Sequence, residues 1–233
     1  MSDKPKIKIT KNGPYVVTGN VPLNKLVIKT GLGGAPDRYE ETEKYPAKEE
    51  YHLCRCGKTK TPPFCDNSHE VTHFNGQETA KNIPYKDMAK KIEGPKVDLL
   101  DAIELCSSAK FCERGKGTWQ AVEESNFEEN KELAVQTSCD CPSGRLVALE
   151  KDGTPIEPEF KPSISVLEDQ CAFVSGPIWV KGGIEIEGED GTIYEKRNRV
   201  TLCRCGKSQN KPFCDTRHVG SHFNDGDKSI NKK

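Results

Sequence analysis

Two stretches of this 233-residue chain place cysteine and histidine at one repeated spacing, Cys54-x-Cys56-x8-Cys65-x3-His69 and Cys203-x-Cys205-x8-Cys214-x3-His218. Thiolates and neutral imidazoles are the side chains that grip soft and borderline metal ions. On an extended backbone residues i and i+2 share a face, so Cys54 and Cys56 can point at one metal. Cys65 and His69 stand i and i+4, neighbours on one helical turn. A strand end and a helix start can therefore deliver two ligands each to one site. Asp66 and Asp215, directly after the third cysteine, read as N-caps of those helix starts. Pro63-Phe64 and Pro212-Phe213 would shape the turn and shield the site from water. A third set lies between the two, Cys106-x5-Cys112-x26-Cys139-x-Cys141-Pro142-Ser143-Gly144.

What such sites hold depends on the compartment. The N-terminus, Met1-Ser2-Asp3-Lys4-Pro5-Lys6, has no apolar stretch of the signal-peptide kind. The longest uncharged apolar run, Cys171 to Val180, is half of what a bilayer requires. The expectation is a soluble, cytoplasmic protein with no membrane contact. There, 11 cysteines, an odd number, read as metal ligands before they read as disulfides. Structural zinc is the plainer alternative for a Cys3His set. Zinc sites, however, usually pair cysteines two to four apart, and a one-residue spacing followed by eight suits a wider, two-iron target.

The elements that must position these residues come from an internal repeat. Residues 53–75 and 202–224 are identical at 14 of 23 positions without a gap, and every Cys and His falls at the same offset. Upstream, Gly13-Pro14-Tyr15-Val16-Val17-Thr18-Gly19 matches Gly176-Pro177-Ile178-Trp179-Val180-Lys181-Gly182. Each copy thus reads as a β-strand, a connection and a metal-type loop. The connection in the first copy includes Gly31-Leu32-Gly33-Gly34, which reads as a mobile loop. Residues 76–97 read as a linker with a short helix around Tyr85–Ile92. Residues 98–110 read as a helix, with Leu99, Leu100, Ile103 and Cys106 on one face. From Asp225 onward the tail is expected to fray.

Composition agrees that apolar burial alone does not hold this chain. Ile, Leu, Val and Phe number 47, about a fifth of the residues, and mean hydropathy is −0.73. Against disorder stands the charge balance: 35 basic and 36 acidic residues give a net charge of −1. The same balance argues against a nucleic-acid partner.

The pattern Cys-x-Cys-x2-Ser/Thr-x3-Pro-x-Cys-Asp-x-x-His resembles the CDGSH-type iron–sulfur domain, with Thr59 and Ser208, Pro63 and Pro212, and Asp66 and Asp215 in place. The resemblance implies two [2Fe–2S] clusters. Cys54 and Cys56 would hold the inner iron of the first, Cys65 and His69 the outer; Cys203, Cys205, Cys214 and His218 would do the same in the second. The Gly of the family pattern is Asn67 in one copy and Thr216 in the other, and the Ser is Arg217 in the second. Asn tolerates a left-handed backbone and Thr does not, so the second turn reads as an ordinary helix start. Single-motif members resemble homodimers with exchanged strands. Two copies in one chain imply a monomer that forms an internal pseudo-dimer about an approximate two-fold.

The central segment resembles a divergent single-cluster ferredoxin domain, and its Cys-x5-Cys…Cys-Pro spacing is similar to that of [3Fe–4S] ferredoxins. The resemblance implies one [3Fe–4S] or [4Fe–4S] cluster on Cys106, Cys112 and Cys141, with Cys139 as the fourth ligand. Cys171 lies outside every motif and reads as a small buried residue. The whole is an α+β fold. Residues 1–75 form the first CDGSH module, 76–97 a linker, 98–150 the ferredoxin-like domain, 151–225 the second module and 226–233 a tail.

The expected function is one-electron transfer to or from an unidentified redox protein. Cluster storage and donation to an apo-acceptor protein is the close rival, and a zinc scaffold a more distant one. No nucleotide or flavin motif supports an enzyme, so no catalytic residue is assigned. His73 and His222, four residues beyond each ligand histidine, read as helix-surface residues near the site. His52 shares a strand face with Cys54. Trp119 and Trp179 read as core, and Lys110, Arg114 and Lys116 as a solvated basic face.

Overall fold

The computed structural model describes residues 4–230, Leu32 for its backbone only. Most of the regular structure is short β-strand, gathered into three sheets with a few short helices.

Alternating burial marks Tyr15–Thr18, where Tyr15 and Val17 are covered and their neighbours less so, as a half-buried strand requires. It lies second from the edge of a four-stranded sheet ordered Glu185–Glu187, Lys6–Ile9, Tyr15–Thr18, Glu50–Leu53. The outermost of these comes from the far end of the chain and runs parallel to Lys6–Ile9, with Ile7 opposite Ile186.

A second sheet of five strands runs Arg199–Leu202, Val174–Lys181, Ser163–Asp169, Leu23–Thr30, Pro36–Lys44. Its central join is again between distant segments, Ser163–Asp169 lying parallel to Leu23–Thr30. Every residue of Val174–Lys181 is buried, the mark of a strand covered on both faces. One apolar cluster therefore draws on both halves of the chain: Ile7, Ile9, Tyr15 and Val17 meet Ile164, Val166, Ile178 and Val180.

The central segment forms its own sheet, Lys90–Ile92, Asp98–Asp101, Leu146–Leu149, Pro155–Ile156, with the helices Thr118–Glu123 and Glu128–Cys139 packed against it. Val97, Leu99, Ala121, Val122, Ala134 and Leu146 form its core. The helix expected over 98–110 is absent. Asp98–Asp101 is a strand paired with Leu146–Leu149, and only Ile103–Leu105 turns as a 3-10 segment. Leu99 and Leu100 satisfy a helical face and a strand equally well, and a partner 47 residues away decides it, as the Leu100–Val147 register shows.

Two further expectations change. The linker helix is confined to Tyr85–Met88, and Lys90–Ile92 is a strand. The tail is not frayed as far as Ile230: Lys228–Ile230 forms a 3-10 turn, Ile230 is 1% exposed, and Asp227 pairs with Lys25 at 2.7 Å. Residues 231–233 lie outside the described residues. The Gly31–Gly34 stretch contains a 3-10 turn, Leu32–Gly34, with Gly33 at φ 84.

Candidate metal centres

In both copies the motif loop is zipped onto the end of its strand. Cys54 N–H donates to Pro63 O at 2.9 Å and Cys65 N–H to His52 O at 2.9 Å. Cys203 and Cys214 repeat the pattern on Pro212 O and Thr201 O at 2.8 and 2.9 Å. The hydroxyls of Thr59 and Ser208 brace the loop by donating to Phe64 O and Phe213 O, each at 2.7 Å.

The aspartates do not cap as expected. The caps are Asn67 and Thr216, both left-handed. Asp66 instead accepts from Lys60 N at 2.8 Å and Ser68 N at 3.0 Å, tying loop to helix, and these bonds hold its carboxyl well below the usual range. Asp215 likewise accepts from Gln209 N and Arg217 N, tying its own loop to its helix. The ordinary helix start expected in the second copy is also corrected. Thr216 sits at φ 72, a conformation that costs a β-branched residue on the order of 1–3 kcal/mol, held by the zipped loop around it.

These ties bring the donors together in pairs. Cys54 and Cys56 sulfurs are 3.6 Å apart, Cys203 and Cys205 sulfurs 3.8 Å, and each third cysteine lies 3.4 Å from Nδ1 of its histidine. Two thiolates bound at about 2.3 Å to one tetrahedral metal stand about 3.8 Å apart, so each pair has the bite of a single metal ion. Among the described residues no group of three or more His, Cys, Asp or Glu side chains has single-ion geometry. The backbone amides of Gly57, Lys58 and Thr59 face Cys54, and that of Asn67 faces Cys65 at 3.5 Å, as an anionic sulfur requires. A hydrogen bond from Cys56 pulls the Cys54 thiol down to about 6. Burial holds the His218 imidazole down at about 4, leaving its nitrogen free for a metal at neutral pH.

The central set differs. Cys106, Cys112 and Cys141 line one small cavity together with Lys110, Phe111 and Arg145. Arg145 donates to Cys106 Sγ at 3.4 Å, is clamped on Asp101 at 2.6 and 2.9 Å, and stacks over Trp119. Cys141 Sγ lies 3.5 Å from Ser143 Oγ. Left-handed turns at Ser108, Lys110 and Gly144 curl the chain around the cavity. Cys139 is not brought into it. As the last residue of Glu128–Cys139 it faces the Ile156 carbonyl at 3.7 Å, its helix packing on Leu146–Leu149. Cys171 packs beside Ile28, Ala109 and Phe111.

Residues 12–70 and 175–219 match the family described as iron-binding zinc finger CDGSH type, and residues 92–151 match the divergent 4Fe-4S mono-cluster family. The chain is a tandem CDGSH-type iron–sulfur protein with a divergent mono-cluster domain between its copies. No curated protein and no solved structure matches it.

In this tandem CDGSH protein the second motif touches both other segments that carry a donor set. Cys106 is close enough to Cys214 for its charge to help push that thiol up, after burial and Cys203. Asn210 of the second motif donates to Glu104 O at 3.2 Å. The second motif in turn abuts the first, since a Cβ on Gly206 would stand 2.5 Å from Cys56 O. The first outer pair faces outward: His69 keeps 13% of its side chain exposed, whereas His218 is 2% exposed.

Sequence reasoning missed the residues that lock these sets. Arg199, 1% exposed, donates to Ser138 O, Cys139 O and Cys141 O at 2.6, 2.8 and 2.6 Å, holding the central loop from the second copy's last strand. Arg55 and Arg204, each between the first two cysteines of its motif, are also buried. Of the remaining histidines, His73 and His222 are exposed at left-handed positions, and His52 pairs with Glu50 at 3.2 Å. Trp179 is core; Trp119 is half-buried and donates to Asp101 at 3.0 Å. In the basic face, Arg114 is paired with Asp140 and Lys116 with Glu124.

Proposed function

We propose that this iron–sulfur protein is a one-electron carrier with three cluster sites in series. Each CDGSH motif takes a [2Fe–2S] cluster, and the central site a [3Fe–4S] or [4Fe–4S] cluster on Cys106, Cys112 and Cys141. The paired donors support the two-iron assignment, because two pairs that each bite one metal suit a rhombic cluster better than one tetrahedral zinc. When bound, the clusters supply one-electron chemistry. The chain's own part is to fix their order and spacing, exclude water and set their electrostatics.

One observation carries the reading: the loops that bear the donor sets touch, with Asn210 of the second motif donating to Glu104 O two residues before Cys106, and Gly57 and Gly206 packed on the carbonyls of Cys205 and Cys56. The two parallel strand joins between halves support an internal pseudo-dimer acting as a monomer, with the mono-cluster segment as a ferredoxin-like insert. The partly exposed His69 favours a second reading, cluster donation to an apo-acceptor protein.

Iron and zinc analysis with EPR of the anaerobically purified, reduced chain tests this. Two irons in each motif and three or four in the centre give about seven or eight per chain. About three zinc with little iron would remove the reading. Rapid reduction by a redox protein without cluster loss favours the carrier, and transfer to an apo-acceptor favours donation.

A further inference from the structure

The two CDGSH motifs carry the same buried arginine with different partners. Arg55 donates to Gly13 O at 2.9 Å and Thr10 O at 3.0 Å, and lies over the rings of Tyr15 and Phe74. Arg204 repeats this on Gly176 O at 2.8 Å and Leu167 O at 2.9 Å, over Phe223. The second copy then adds two carboxylates. Arg204 donates to Glu168 Oε1 at 2.7 Å and is paired with Asp225, whose side chain is 8% exposed. Among the described residues Arg55 makes no ion pair, and its Nη1 has no hydrogen-bond partner.

The difference is written into the repeat. Gly76 occupies the offset of Asp225, and a Cβ there would stand 2.2 Å from Arg55 Nη2, so the first copy has bare backbone where the second has an acid. Glu168 has no counterpart in the first copy, where the tight Thr10–Gly13 turn fills its place. Both arginines sit between two ligands of their motif, 1% and 3% exposed, where charge is poorly screened.

We propose that these partners make the two sites electrically unequal: the first motif is the higher-potential station and the second the lower, which sets the first as the end where an electron comes to rest. The inference rests on the iron–sulfur reading above. Reduction adds one negative charge to a site. An unneutralised guanidinium beside the first site stabilises that charge, whereas Glu168 and Asp225 cancel most of the same guanidinium beside the second. The burial of Cys214 and His218 opposes added charge there as well. Since the second site lies between the central site and the first, the row of donors then falls toward the surface-facing His69.

The test is an EPR-monitored redox titration of the iron-loaded full chain with dithionite. It is run at pH 8, above the value of about 7 to which burial raises Glu168, so that Glu168 is ionised. His69→Cys, which adds a thiolate to the first site alone, assigns its signal. In the wild type the first signal develops at the higher potential. In Glu168→Gln with Asp225→Asn the second midpoint rises toward the first by about 59 mV or more, a tenfold change in a one-electron equilibrium, while the first moves by less, through the reach of Arg204 to Cys54. Asp225→Asn alone gives a smaller shift in the same direction and spares the fold if the double variant does not assemble. Coincident or reversed midpoints in the wild type overturn the proposal. So does a second midpoint unmoved by Asp225→Asn. A colourless, zinc-loaded chain is a different failure, that of the iron–sulfur reading itself.

Discussion

Gly57 lies against Cys205 so closely that a Cβ on it would stand 2.7 Å from the cysteine's carbonyl oxygen and 3.0 Å from its Cα. Gly206 returns the contact on Cys56, and both glycines have positive φ, 69 and 76. The obstacle is backbone on both sides, so neither motif can yield without moving its own ligands.

Gly57→Ala is therefore expected to cost about 2–4 kcal/mol, from a strained φ together with a backbone clash. It should disturb both motifs at once. Denaturant unfolding and the two EPR signals check it; a change confined to the first signal would mean that the contact does not couple the sites.

Replacing Cys106, Cys112 or Cys141 by Ser should remove the central signal and leave the two motif signals. Cys139→Ser and Cys171→Ser should leave all three, since neither thiol faces the central cavity. Loss of the central signal in Cys139→Ser would show that the end of Glu128–Cys139 rearranges when metal binds.

Chelation should strip the motifs in order. His69 and the half-buried Cys65 face solvent, whereas Cys214 and His218 are covered. Bleaching by excess chelator is expected in two motif phases, the faster at least several-fold quicker and belonging to the first copy. His69→Cys should slow that phase and His218→Cys should leave it alone. A fast phase that responds only to His218→Cys sinks this ordering.

Lys181 supplies a pH signature away from the metal. It donates to Ser165 at 2.8 Å, lies over Trp179, and burial holds it down at about 8 against an ordinary 10.5, with Glu41 acting weakly the other way. Between those values the unfolded chain binds more protons, so this group makes stability rise with pH from about 8 to 10.5. Lys181→Met should flatten that rise by on the order of 1–2 kcal/mol, allowing for residual solvent screening of the ammonium. Equal pH slopes for wild type and variant in urea unfolding would show that the ammonium is solvated.

The parts legible in sequence are those whose geometry is local. Cys54 with Cys56 and Cys65 with His69 are two and four residues apart, so their pairing follows from a strand end and one helical turn. Cys106, Cys112 and Cys141, which the family resemblance implied, line one cavity, but adjacency alone suggested Cys139, which its helix carries to Ile156. Distance in sequence hid the rest. Asp98–Asp101 became a strand because Leu146–Leu149 was there to pair with it. Thr216 is left-handed because the loop before it is pinned. Arg204 finds Glu168 across 36 residues and Arg199 finds the central loop across about 60, and no periodicity announces either.

The parallel joins between the chain's two ends have a consequence for its synthesis. Lys6–Ile9 gains its outer neighbour only when Glu185–Glu187 exists, and Leu23–Thr30 only when Ser163–Asp169 does. At about 5–20 residues per second the ribosome takes roughly 10–35 s to make the intervening chain. For about 7–27 s of it, between the making of His69 and of Gly206, the first four donors are out while the glycine contact that seats them is missing. Iron offered to the early nascent chain would meet thiols without a finished cradle, so the first motif is expected to load only once the second has been made.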